Sequence, residues 1–229
     1  MYKLAVVFSL IINLLPLQYG FDWVSFNMTQ RINAQGKTTR MDSRVFFRKN
    51  GEMVTQISSS DDIFIFNNKQ GELKIYNPKE NSVFKSVNYQ YGTQNNTFYY
   101  FLGQVPNMGL EDVGYSIGES KMDEGMLVTY WYPPQQLAAD ISKVELVSDG
   151  DKAVFMGFYD NEDEYFKKIF FYDFQPLRGI LFPNSITEIG YIEDDSVITK
   201  TTFNYFEFDQ PEAKEILDMK IPDNAKLIK

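Results

Sequence analysis

The chain contains neither cysteine nor histidine, and only two tryptophans, in 229 residues. Without cysteine there is no disulfide, no thiol nucleophile and no site for lipidation at a mature N-terminal cysteine. Without histidine the usual general base and the commonest transition-metal ligand are missing as well. No Gly-rich phosphate loop follows a strand, and no G-x-S-x-G motif occurs. A catalytic residue set, a metal site and a cofactor are therefore not expected. An envelope hydrolase would have to rely on an acid pair such as Asp173 and Glu188. The densest carboxylate group, Asp160, Glu162, Asp163 and Glu164, falls in a predicted hairpin turn and lacks the glycine of an EF-hand loop, and Asp194-Asp195 reads the same way. Positive charge is also scarce: 22 Lys and Arg against 31 Asp and Glu give a formal charge of −9. No stretch of sequence gathers the cations, which argues against nucleic acid or an anionic membrane surface as a partner.

Long apolar runs are lacking except at the start. Lys3 is followed by LAVVFSLIINLLPL and then polar sequence, the layout of a secretory signal peptide over residues 1–20. The run is short and interrupted by Asn13 and Pro16, so an uncleaved anchor is the lesser alternative. The expected product is an exported, soluble chain, 21–229, beginning near Phe21. A cysteine-free exported domain of this size fits a bacterial periplasm; the sequons Asn27-Met28-Thr29 and Asn95-Asn96-Thr97 keep a eukaryotic secreted protein open.

Aromatic residues are abundant, with 20 Phe and 15 Tyr. They sit in β patterns. From Trp23 to Ile32 apolar and polar residues alternate strictly, Asn50-Gly51 marks a hairpin, and Asp61-Asp62, Asn67 to Gly71 and Asn77-Pro78 punctuate further short strands. The first ninety or so residues thus read as an antiparallel meander. A second meander runs from Met126 through the stretch Lys152 to Tyr191, whose strands carry apolar residues on both faces. The face of Lys168 to Phe174 that points inward is not decided by alternation. Asp209 is placed to cap a short helix with Ala213, Ile216 and Leu217 on its apolar side, and a short edge strand ends the chain. Nothing divides the meanders into separate domains.

Between the meanders the pattern changes. Thr97 to Leu102 is an aromatic block that fits either a short helix after Asn96 or a strand. Leu110, Val113 and Ile117 then share one helical face, predicting a short helix of poor propensity that serves as a mobile lid or as a plain crossover.

Several short motifs in this order resemble the LolA-like outer-membrane lipoprotein carriers: Ser25-Phe26 with Met28-Thr29-Gln30, Arg44 to Lys49, Gly71 to Pro78, Phe182 to Ile186, and Phe206-Glu207-Phe208 before Ile221-Pro222. The resemblance implies a mainly β fold, a single curved antiparallel sheet forming an unclosed barrel under a short helical lid. Ten or eleven strands are expected. It also implies a hydrophobic cavity for lipoprotein acyl chains or another lipid-like ligand, a monomer, and the envelope machinery for lipoprotein export as a partner. By alternation and by match to the family's strands, Phe26, Met28, Val45, Phe47, Ile75, Val128, Tyr130 and Phe155 line that cavity, and Leu110, Val113 and Ile117 form the lid. The family's lid-contacting arginine matches Lys49, with Arg48 beside it; lysine lacks the forked geometry of that contact. The family's helix ahead of the first strand has no counterpart here. The same sheet with a filled interior would instead make a non-catalytic envelope scaffold.

Overall fold

The computed structural model describes residues 20–57, 62–192 and 195–228; the expected signal segment, apart from Gly20, lies outside them, as does Asp194. Six strands come first: β1 (Trp23–Ala34), β2 (Lys37–Arg48), β3 (Met53–Ile57), β4 (Ile63–Asn67), β5 (Glu72–Asn77) and β6 (Ser82–Val87). Helix α1 (Thr97–Leu102) follows. A second meander then comprises β7 (Ser116–Asp123), β8 (Met126–Tyr132), β9 (Lys143–Asp149), β10 (Lys152–Tyr159), β11 (Tyr165–Leu177), β12 (Ile180–Ile192) and β13 (Asp195–Phe208). The chain closes with α2 (Pro211–Leu217) and β14 (Lys226–Ile228).

All the strands belong to one 14-stranded sheet in the order β14-β6-β5-β4-β3-β2-β1-β13-β12-β11-β10-β9-β8-β7. It is curved but not closed, with β7 and β14 as free edges. The strand count exceeds the expected ten or eleven; the presumed lid segment contributes β7, and the expected edge strand of the tail, β14, runs parallel to β6. The order also fixes the central connection. Since β6 and β7 lie near opposite edges, residues 88–115 must cross the full width of the sheet, and they do so over its inner face.

Period-two alternation then decides the two faces. Phe26, Val45, Thr55, Ile65 and Ile75 are cross-strand neighbours on the inner side. There Phe26, Val45 and Phe47 join Trp131, Val144, Ile169, Phe182 and Phe203 in one core. On the outer side Phe46, Val54, Phe64 and Tyr76 pack with Ala213 of α2. Arg48, also outward, pairs with Glu52 and with Asp218 (2.6 Å) at the end of α2.

Asp209 does not cap α2, which starts with Pro211 after Gln210. Its backbone takes φ 56°, and its Oδ1 accepts the N–H groups of Asp22 (2.8 Å) and Trp23 (3.2 Å) while Arg178 donates to Oδ2 (2.6 Å). This fastens the start of β1 to the end of β13. Burial opposes ionisation of Asp209, but those backbone donors and the guanidinium outweigh it and hold the carboxyl below its ordinary value. A carboxyl depressed on folding stabilises fully above its unfolded pKa, about 4, and the stabilisation is lost as pH falls through the folded value. Asp209→Asn is therefore expected to melt lower than wild type at neutral pH, with the gap closing below about pH 4 in pH-dependent thermal melts. A gap independent of pH would show that ionisation plays no part.

Candidate functional site

The inner face is occupied by α1, whose sequence TFYYFL is aromatic at four of its six positions. A helix this short is not stable alone, so tertiary contacts hold it. Phe98 inserts edge-on between Phe26 (5.4 Å between centroids), Phe203 (5.9 Å) and Phe47 (6.4 Å). Phe101 does the same against Phe171 (5.0 Å), Phe182 (6.1 Å) and Phe174 (6.2 Å). Tyr99 packs on Phe47 (6.0 Å), and Lys69 Nζ lies 5.5 Å from the Tyr99 ring. The aromatic block is thus a plug in the barrel, and its cationic contact is Lys69.

A strained strap continues from the plug. Gln104, Asn107 and Met108 have φ of 48°, 51° and 51°, in the left-handed region that costs a non-glycine residue roughly 1 kcal/mol or more. Gly109 follows at φ 74°, and a Cβ there would fall 2.2 Å from the Tyr100 ring, so only glycine fits. Met108 is nevertheless buried in the main core. Its burial and the turn hydrogen bonds Val105 N–H to Tyr100 O (2.9 Å) and Leu110 N–H to Asn107 O (3.1 Å) hold the strap down.

Two voids flank this plug and strap. One, of about 500 Å³, opens between the strap and the β9–β10 and β11–β12 turns, with Phe101, Leu127, Leu146 and Ile180 in its wall beside the polar Gln104 and Asp151. The other, of about 210 Å³, lies towards Leu110, Tyr115, Met156 and Ile169. Tyr100 and Met108 line both. The larger void alone falls within the usual range of ligand pockets, about 300–1,000 Å³. Burial, with Tyr89, Tyr99 and Asp112 adding to it, pushes the Tyr100 phenol up to about 12, so it stays a neutral donor at the boundary of the two voids.

The expected wall divides in two. Phe26, Val45 and Phe47 are core residues of the inner face, Met28 packs against them, and Ile75 shares their cross-strand row. Val128, Tyr130 and Phe155 are on the outer face. Both alternating sets of β8 are apolar, and Trp131 decides between them: it is buried inward, its Nε1 donating to Thr129 Oγ1 (2.9 Å), which turns Val128 and Tyr130 outward. In β10 a register irregularity between Ala153 and Phe155 sends Ala153, Met156 and Phe158 inward. Phe155 rests outside on Phe170 (5.1 Å) and Tyr165 (6.1 Å). In β11 Ile169 and Phe171 point inward and Phe170 and Tyr172 outward.

The helix expected over Leu110, Val113 and Ile117 does not form. Gly109 and Gly114 have φ of 74° and 93°, neither of them helical. Leu110 is buried, Val113 is exposed, and Ile117 is an exposed residue of strand β7. Arg48 is engaged on the outer face with α2, and Lys49 donates its backbone N–H to Asp22 O (3.0 Å) beside the start of β1. The plug and Lys69 were missed; the run of aromatics at 98–101 was the available signal.

The carboxylates have structural partners. Asp160 Oδ1 accepts the N–H groups of Glu162 (2.9 Å) and Glu164 (3.0 Å), building the turn, and Asp163 pairs with Lys143 (2.5 Å). Glu188 pairs with Lys167 (2.7 Å) and Asp173 accepts from Ser185 Oγ (2.8 Å), so these two acids are committed separately. Among the described residues no group of three or more acids could hold a metal ion.

No protein-family model matches the chain, and no curated protein sequence matches it. Solved structures do. A DUF1329 family protein from Desulfovibrio piger superposes with a TM-score of 0.58 at 13% identity, covering 86% of this chain and 90% of that one. A domain named for outer-membrane lipoprotein sorting, from Vibrio parahaemolyticus, gives 0.57 at 12% identity, over 87% and 91%. A LolA superfamily protein from Nitrosomonas europaea gives 0.56 at 12% identity, over 87% and 93%. The fold is LolA-like.

Proposed function

We propose that the protein is an exported periplasmic carrier, monomeric, that shelters the acyl chains of lipoproteins or of another lipid-like ligand beneath α1 for delivery to the outer membrane. Handover would involve the envelope machinery for lipoprotein export. The observation that carries this reading is that Tyr100 of α1 and Met108 of the strained strap line both voids, the larger half polar and the smaller mainly apolar, so lifting plug and strap together would join them into one cavity. The energies are compatible. Burying a phenylalanine contributes about 1.5–3 kcal/mol and a methylene about 0.8, so an acyl chain that buries some eight methylenes offsets expulsion of both Phe98 and Phe101. The strain in the strap lowers that requirement further.

The filled interior also supports a second reading, a non-catalytic envelope scaffold in which Phe98 and Phe101 are permanent core. Titration with a fluorescent fatty acid, followed by displacement with a diacylated peptide, separates the two. The carrier is expected to bind the first saturably and release it to the second. A protein that takes up neither probe is the scaffold.

A further inference from the structure

The outer face of the sheet gathers cations that no stretch of sequence brings together. Phe170, Thr187, Lys200, Arg31 and Arg40 are successive cross-strand neighbours through β11, β12, β13, β1 and β2. With strands about 4.8 Å apart, the three cations fall within roughly 10 Å of one another. In the adjacent row Lys168, Ile189 and Ile198 are neighbours. Like charges directly opposite in a sheet destabilise it. Arg40 is answered by Asp42, at 2.8 Å from Nε. Arg31, Lys168 and Lys200 form no close ion pair among the described residues, although the Asp42 carboxylate that holds Arg40 also feels the charge of Arg31. Aromatic rings stand beside two of them instead: Lys168 Nζ lies over Tyr165 (4.2 Å) and Tyr191 (5.4 Å), and Lys200 Nζ over Tyr172 (5.4 Å). Phe170, Ile198 and Tyr191 are 37%, 38% and 40% exposed in the same area. Helix α2 packs on β1, β2 and β3 and leaves Arg31, Phe170, Ile198 and Lys200 exposed, with Lys168 half-buried beside them.

We propose that this band docks the protein on an anionic lipid bilayer, with Arg31, Lys168 and Lys200 meeting lipid phosphates while Phe170, Ile198 and Tyr191 enter the headgroup layer. Charge complementarity selects the partner and the orientation. The chain as a whole carries −9, so an anionic surface repels most of its exterior and attracts this face. Tyrosine and phenylalanine interleaved with unpaired cations over several strands match the layered chemistry of a membrane interface, where rings sit at headgroup depth and long cationic side chains reach the phosphates. An acidic protein would satisfy the cations but not the exposed apolar residues between them. The proposal stands independently of what the inner cavity holds.

Vesicle flotation tests it, using protein isolated from cells with phosphatidylcholine vesicles that contain or lack phosphatidylglycerol. Wild type is expected to float with the anionic vesicles at low salt, to be released by high salt, and to ignore the neutral ones. Each neutralised cation should weaken binding roughly five-fold, so the exposed double variant Arg31→Gln/Lys200→Gln should bind about 25-fold more weakly with an unchanged melt. Phe170→Ser should weaken it too. Lys85→Gln, on the remote strand β6, controls for net charge. Equal flotation with neutral vesicles, or a double variant that binds like Lys85→Gln, would overturn the proposal. So would a wild type that ignores vesicles but dimerises in a salt-sensitive way, which would assign the face to a second copy.

Discussion

Phe101→Ala is expected to make the protein melt earlier and bind a fatty-acid probe more tightly, a combination that ordinary core damage does not produce. Phe101 is buried on the inner face between Phe171, Phe174 and Phe182. Truncating a buried phenylalanine typically costs about 3–5 kcal/mol. If that cost falls on the plugged state, every state in which α1 has lifted gains by comparison, and a ligand that selects the lifted state gains the same amount. A shift of about 1.4–2.8 kcal/mol in that equilibrium already strengthens apparent binding roughly 10- to 100-fold. The melting temperature should fall by about 6 °C or more in a domain of this size. Thermal melts alongside probe titration decide the matter. An earlier melt with unchanged affinity would show that Phe101 is permanent core and that α1 does not gate the interior.

Phe182→Ala is expected to destabilise the protein most without improving binding, because plugged and lifted states both depend on it. Phe182 is fully buried on β12 and touches Phe206 (5.0 Å), Phe203 (5.3 Å) and Phe101. A loss of about 3–5 kcal/mol corresponds to a fall of roughly 6–20 °C. Tyr130→Glu is the informative contrast. Tyr130 lies outside, between Lys121 (6.0 Å) and Lys143 (5.6 Å) and opposite Glu145, so a carboxylate there meets two ammonium groups in place of two cation–π contacts, set against one like charge across the strands. Each side of that exchange is worth about 1 kcal/mol or less, and the melt should move by only a few degrees. If Tyr130→Glu collapsed the fold as Phe182→Ala does, the assignment of β8 to its faces would be wrong.

These contrasts also show what alternation conveys. Where a strand is apolar on one side, as in β1, the period of two picks out Phe26 directly; β2 runs apolar through Val45, Phe46 and Phe47, and its pairing with β1 assigns Val45 and Phe47 to the inner face. Where both sides are apolar, as with Met126, Val128 and Tyr130 against Leu127 and Trp131, the choice depends on which residue finds a buried partner, a tertiary fact. Bulges defeat the pattern in a different way: one irregularity near Phe155 moves everything beyond it by a face. The helix misplaced at 110–117 had the right spacing but two glycines held at positive φ, while the true helix carried no periodicity because aromatic residues occupy almost every position of α1. The cationic band was invisible for the plainest reason. Arg31, Lys168 and Lys200 are scattered along the chain, and only the pairing of β1 with β13 puts two of them side by side.

The strand order bears on how the chain assembles. Within each meander every strand pairs with its predecessor, and such hairpins form in microseconds. Among the described residues the two meanders are joined by strand pairing between β1 and β13, and the tie from Asp209 to Asp22 spans 187 positions. The entropy of closing so long a loop must be met before the contacts that reward it exist, which makes this union the slow event. The two tryptophans report the halves separately: Trp131 is in β8, inside one meander, while Trp23 begins β1 with its Nε1 donating to Gln210 O (2.8 Å) across the seam. In refolding, the fluorescence of a Trp23→Phe variant should therefore recover before that of a Trp131→Phe variant, and equal rates would place the seam within a single concerted step. During synthesis the consequence is sharper still, because β1 and β12 wait as free edges until β13 emerges, and one of the last strands made becomes a central strand of the sheet.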